Sequence, residues 1–150
     1  MILDFNYYEW QGKLLPLVRL TFEHSGIKIP YLCLLDSGAE RTVSYTVIGQ
    51  NLGIDFKDCP VEQVSGIGIA AEECHKCGEK IKMDMLAYKK EINLFIEGYG
   101  NNPVPVEVLF LIKKFDPSSD FTFMIGRRTF FERFDITFQE SRKKFYLKPV

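Results

Sequence analysis

Apolar residues come in short runs separated by small polar breaks, a pattern that favours strands over a helical bundle. Residues 14–22 alternate well enough for a strand, and His24-Ser25-Gly26 turns the chain into a second run over 27–35, almost wholly apolar at its end. That run leads straight into Asp36. Asp36-Ser37-Gly38-Ala39 breaks the strand with small residues, Thr42 and Val43 resume β-type chemistry, and residues 45–52 suit a short helix stopped by Gly53. Residues 61–64 and 69–71 read as strands around the glycine turn Ser65-Gly66-Ile67-Gly68, a hairpin tip.

Residues 72–82 are polar and charged around Cys74 and Cys77, with strand candidates at 80–85 and 92–96. A clear strand over 104–112, a loop at 116–120 and an apolar run over 121–125 stopped by Gly126 follow. Residues 127–134 suit a short helix, and 135–139 with 144–148 form a closing hairpin. The expectation is one mainly β domain over 1–150 with one or two short helices and an insertion at about 72–103.

Composition supports one core. At 150 residues and 46% apolar content, with 13 Phe and 7 Tyr, the chain can bury enough surface without crosslinks. The formal charge is -1 with acids and bases interspersed, which gives no reason to expect nucleic acid or an anionic membrane as partner. Residues 127–150 hold seven bases against three acids, a mild bias that a solvated face explains. No run approaches the roughly 18 uncharged apolar residues of a membrane span. The start of the chain, with Asp4 and Glu9 among aromatics, lacks the basic and apolar regions of an export signal. Cys33 lies in an apolar strand pattern, and all four cysteines (Cys33, Cys59, Cys74, Cys77) are read as reduced thiols in a cytoplasm.

An aspartate at the end of an apolar strand is costly unless its charge is stabilised or removed, so Asp36 between Leu35 and Ser37-Gly38-Ala39 calls for an account. Asp, Ser and Gly are also ordinary turn residues. The motif continues, however, as Glu40-Arg41-Thr42-Val43, and about 80 residues beyond it an apolar pair meets glycine at Met124-Ile125-Gly126-Arg127. Together these segments resemble the retropepsin family of aspartic proteases, in which an Asp-Ser/Thr-Gly-Ala loop carries the catalytic aspartate beside a hydrophobic-hydrophobic-glycine segment. The resemblance spans roughly residues 14–148, and residues 130–148 look like the closing segment of cellular and bacterial members.

The resemblance implies a closed antiparallel β-barrel of the retropepsin-like type, acting as a homodimer on a peptide or protein substrate without a cofactor. Asp36 of each copy would be catalytic. Two facing aspartates cannot both ionise, so they share a proton; one activates water and the other donates to the developing oxyanion. Ser37 would join a hydrogen-bond lattice between the two loops, Gly38 would let substrate backbone approach, and Ala39 would line a subsite. Glu40 stands where many relatives carry Asp or Asn. Ile125, Gly126 and Arg127 would support the loop, with Arg127 either pairing with Glu40 or lying free on the surface. Ser65, Gly66, Ile67 and Gly68 resemble the flap that closes over substrate.

Other signals are weaker. Gly66-Ile67-Gly68 imitates a dinucleotide fingerprint, but no βαβ unit follows. Cys74-His75-Lys76-Cys77 has the gap of a zinc knuckle, with Cys59 as a third candidate ligand; a full tetrahedral set is missing, so no metal is expected. His24 and His75 lie in no nucleophile context. The aromatic segment of Phe5, Tyr7, Tyr8 and Trp10 suits either a core or a dimer contact. The expected function is an aspartic endopeptidase. Its rivals are a catalytically silent peptide-binding or assembly module of the same fold, and a small zinc-dependent interaction protein.

Overall fold

The computed structural model describes residues 1–64, 72–73, 80–81 and 85–150, the two short middle segments by their backbone alone. The strands in chain order are β1 (Leu3–Asn6), β2 (Tyr8–Trp10), β3 (Lys13–Leu15), β4 (Leu17–His24), β5 (Ile27–Leu35), β6 (Thr42–Tyr45), β7 (Val61–Val64), β8 (Glu72–Glu73), β9 (Lys80–Ile81), β10 (Met85–Ile96), β11 (Val104–Leu111), β12 (Phe123–Ile125), β13 (Phe134–Gln139) and β14 (Lys144–Pro149). One α-helix, α1 (Thr46–Asn51), and two 3₁₀ turns, Phe131–Arg133 and Glu140–Arg142, complete the described chain. None of the described helices is long and apolar enough to cross a membrane.

Six strands close into a barrel in the order β4, β5, β12, β6, β11, β10 and back to β4. Closure depends on the length of β10, which pairs with β11 over Ala87 to Leu94 and with β4 over Asn93 to Ile96. Strand β7 pairs with the first residues of β10, Met85 to Tyr88, outside the ring. Most neighbours are antiparallel, but β12 runs parallel to β5 and β11 parallel to β6. Pro30 and Pro105 fit inside strands because β12 reaches only Cys33 to Leu35 of β5 and β6 only Val108 to Leu111 of β11, leaving each proline one free edge.

Alternate residues of these strands fill the barrel: Leu20, Phe22, Cys33, Leu35, Val106, Val108, Phe110, Phe123 and Ile125 are buried in one cluster. Phe22 and Phe123 stack with centroids 3.8 Å apart. The sheet β1-β14-β13 adds Leu3, Phe134, Phe145 and Leu147 to the same core, and Phe5 stacks on Phe145 at 5.1 Å. Of the aromatic start of the chain, Phe5 and Tyr7 pack on Phe145 and Trp10 on Phe121 at 4.5 Å, while Tyr8 is exposed. On the opposite face of the same strands a second cluster gathers Val43, Val64, Ala87, Leu109 and Leu111.

Several expected boundaries shift for identifiable reasons. The run over 14–22 divides at Pro16, which has no N–H for the ladder. The turn at Ser25 and Gly26 is left-handed at both residues, φ 47 and 83, the twist that suits a two-residue hairpin. Gly53, φ 75, ends α1 and donates its N–H to the Gln50 carbonyl at 2.9 Å. The helix expected over 127–134 is a turn and one 3₁₀ turn, because Thr129 takes φ 68 while Phe130 and Phe134 both turn inward. Of the two candidates at 80–85 and 92–96, the first holds the short strand β9, with 82–84 outside the described residues, and the second is the end of a longer barrel strand, residues 85–96.

Candidate active site

Strand β5 delivers Asp36 to the barrel's end, and the loop after it is tied down almost entirely by main-chain groups. Asp36 is half-buried; its N–H donates to the Ile125 carbonyl at 2.9 Å, and its own carbonyl accepts the Ala39 N–H at 3.1 Å. The Gly38 N–H donates to Asp36 Oδ1 at 2.9 Å. A second set of bonds runs from the segment after β12: Arg127 N–H to the Ala39 carbonyl at 2.9 Å, and Arg128 N–H to the Glu40 carbonyl at 2.8 Å. Below them the Gly126 N–H donates to Oγ1 of Thr42, a fully buried hydroxyl, at 3.1 Å.

Gly126 is required by closeness. A Cβ there would lie 2.5 Å from the Arg41 carbonyl carbon and 2.9 Å from the Ala39 oxygen, and closer still to the Arg41 oxygen. The two segments therefore interlock with no room for a side chain between them. Asp36, Ala39 and Glu40 are thus tied through their main chain to Ile125, Arg127 and Arg128, with Gly126 between them. Ser37, Gly38 and Glu40 are exposed and Ala39 is buried.

The loop borders a cavity of about 310 Å³ whose other wall is β7, with Gly38, Ala39 and Glu40 facing Glu62, Gln63 and Val64. A neighbouring cavity of about 270 Å³ is lined by Val43, Tyr45, Leu111, Asp120, Phe121 and Met124. Register places Leu34, Met124 and Val43 side by side, and Val43 beside Leu109, so an apolar strip leads away from Asp36 across this face. Chemically, one carboxylate held at one oxygen by a backbone amide, beside a partly apolar cleft, can accept or donate a single proton.

Against this geometry, neither a protein-family model nor a curated protein sequence matches the chain. Among solved structures, the chain is similar to a retropepsin-like aspartic protease from Rickettsia conorii, with 13% sequence identity, a TM-score of 0.57, and coverage of 98% of this chain and 91% of that one. The fold is retropepsin-like. Identity at that level speaks for the architecture alone.

Some expected site residues fall elsewhere. Ser65, Gly66, Ile67 and Gly68, and the thiols of Cys74 and Cys77, lie outside the described residues. Among the described residues no three His, Cys, Asp or Glu side chains gather as metal ligands, and Cys59 Sγ sits 3.8 Å from the Asp55 carbonyl. Of the two alternatives for Arg127, the pairing with Glu40 does not occur: among the described residues the ion pairs beside this loop are made by Arg41, to Glu62 at 3.2 Å and to Glu107 at 2.6 Å. Arg127 serves through its backbone N–H instead, because its side chain points from an exposed position. Sequence reasoning missed Arg41 and Thr42. A hydroxyl flanked by strand residues at Thr42 was the one available signal, and its partner lies 84 positions away.

Proposed function

We propose that the chain is an aspartic endopeptidase, active as a homodimer in which Asp36 of each copy supplies one carboxylate. The observation that carries the reading is the place of Asp36: the first residue after a barrel strand, with Oδ1 held by Gly38 N–H and its loop locked by Gly126. A loop fixed by so many main-chain bonds presents a carboxylate at a defined position, which acid–base chemistry needs more than it needs any particular neighbour.

In this reading a water lies between the two Asp36 carboxylates. Held close, the pair shares one proton; the ionised member takes a proton from the water as the oxygen attacks a peptide carbonyl, and the protonated member donates to the oxyanion. Titration of such a pair follows macroscopic values belonging to both. Gly38, exposed and without a Cβ, leaves room for an extended peptide backbone beside the acid. The apolar strip through Leu34, Met124 and Val43 offers its side chains a surface.

The test is digestion of an unfolded protein by the wild type and by Asp36→Asn, with the oligomeric state measured by sedimentation under the same conditions. The wild type should cut as a dimer, and Asp36→Asn should lose about 10³-fold or more of that rate, the size of a general acid–base contribution. Equal cutting by both variants, or full activity of a monomer, would remove the proposal. Tight peptide binding by a wild type that cuts nothing between about pH 3 and 8, where carboxylates and histidines titrate, would replace it with the silent binding module.

A further inference from the structure

Arg41 follows the Asp36 loop directly, yet its side chain reaches away from the acid. The guanidinium meets Glu62 of β7 at 3.2 Å and Glu107 of β11 at 2.6 Å, and Lys89 of β10 adds a 3.0 Å contact to Glu62. Two cations and two anions thus balance across three strands. The Arg41 side chain is 15% exposed, so this is a half-sheltered network and not a solvated surface pair. Meanwhile the Arg41 main chain is pressed over Gly126, which leaves it no freedom to follow a shift of β7.

The other charged groups nearby do not take its place. Glu91 stands directly across from Glu107 in the β10–β11 ladder and adds a third acid on that face. Glu40 and Arg127 border the same cavity from exposed positions on the loop side. Glu62 is held below its ordinary carboxyl range, first by its hydrogen bond to Lys89 and then, against the opposing effect of burial, by the charge of Arg41. Without Arg41, Glu62 and Glu107 would face a shared space with Lys89 as the nearest compensation, and like charges would push β7 outward.

We propose that Arg41 is a positioning residue that fixes the separation between the Asp36 loop and strand β7, and with it the width of the cleft that receives a peptide. Its consequence for peptide binding rests on the peptidase reading above; its consequence for β7 does not. Because β7 lines the cavity with Glu62, Gln63 and Val64, a small outward shift changes how substrate is gripped more than how the carboxylate reacts.

The test uses the full chain as Arg41→Met, Arg41→Lys and the triple variant Arg41→Met, Glu62→Gln, Glu107→Gln. Two quantities are read at pH 7 and near pH 4, each relative to wild type at that pH: amide hydrogen exchange over residues 61–64, and KM and kcat on a peptide. At pH 7 Arg41→Met should exchange about tenfold faster in this strand and raise KM more than it lowers kcat, since a local opening is favoured by the unpaired acids. Near pH 4 Glu62, no longer held down by Arg41 in the variant, takes up a proton more readily than in the wild type, and the gap should shrink severalfold. Arg41→Lys should recover part of the effect, a point charge replacing a fork, and the triple variant most of it. A purely structural arginine would show no such pH dependence and no such rescue.

Unchanged exchange and KM in Arg41→Met at pH 7, or an equal loss at both pH values that the triple variant does not recover, would overturn the proposal. Should Arg41→Met fail to fold, the triple variant decides: exchange close to wild type supports the role and faster exchange defeats it. The expected exchange pattern in a chain that cuts no peptide would remove the peptidase reading and leave the placement of β7 by Arg41 standing.

Discussion

Replacing Gly126 with Ala puts the interlock of the Asp36 loop to the most direct test. The new Cβ would meet the Arg41 carbonyl carbon at 2.5 Å and the Ala39 oxygen at 2.9 Å. Unstrained contact needs about 3.5 Å, so the two segments must part by about 1 Å. Neither neighbour is the free end of a side chain. Overpacking of this kind costs about 1–3 kcal/mol. Parting the segments also stretches the bonds from Gly126 N–H to Thr42 and from Arg127 N–H to Ala39, at about 1 kcal/mol each. Alanine's narrower unfolded ensemble returns about 0.4–1 kcal/mol. The net loss is about 2–5 kcal/mol, which lowers the melting temperature by about 6–15 °C in a domain of this size. Thermal unfolding followed by circular dichroism measures it, with Gly38→Ala as the comparison. That Cβ would meet only the Asp36 carboxylate, at 3.2 Å, so its stability loss should stay near 1 kcal/mol or below, as for an exposed position. A Gly126→Ala protein melting within about 2 °C of wild type, less than 1 kcal/mol would produce, would refute the account of the interlock.

Two further outcomes follow from the packing and from one perturbed hydroxyl. Phe123→Ala removes a fully buried ring stacked on Phe22 and should cost about 3–5 kcal/mol in urea unfolding; a loss under about 1 kcal/mol would mean the barrel centre collapses freely around the gap. Burial first, and then the Asp120 carboxylate that accepts its hydrogen bond, push the Tyr45 hydroxyl from its ordinary 10.0 up to about 12. The folded chain therefore keeps this proton longer than the unfolded chain, so the contribution is complete below pH 10 and is lost as pH rises towards 12. Tyr45→Phe should flatten the alkaline decline of unfolding free energy between those values, and identical slopes in both proteins would contradict the assignment.

What the sequence disclosed was local. Alternation located β4, and short apolar runs bounded by turn residues and prolines located β5, β11 and the closing hairpin, because each buries one face in the core. Gly53 and the pair Ser25-Gly26 marked their turns correctly, since a left-handed φ is a property of few residue types. Pro16 was passed over, and so was Gly12, whose φ of 76 helps turn β2 into β3. The long strand β10 was hidden because Lys89, Lys90 and Glu91 interrupt its apolar pattern. They are tolerated there because Lys89 finds Glu62, and because the middle of β10 has β11 on one edge only, between the stretches paired with β7 and β4.

The candidate site divides along the same line. Asp36, Gly38, Ala39 and Gly126 stood out through their order and the family they resemble, since a small-residue break after an apolar strand is by itself an ordinary turn. Which groups hold them was not legible: Thr42 and Gly126 are 84 positions apart, and Arg41 and Glu107 are 66 apart. An arginine next to an active-site motif gives no hint in sequence whether it faces its own loop or a distant strand. Sequence order favoured Arg127 as the brace, whereas the barrel's parallel pairing of β6 with β11 carries Arg41 towards Glu107. Among the described residues the ties around Asp36 are to groups of the same chain, so in the proposed homodimer the loop would bring its order with it and add little to the entropic cost of pairing.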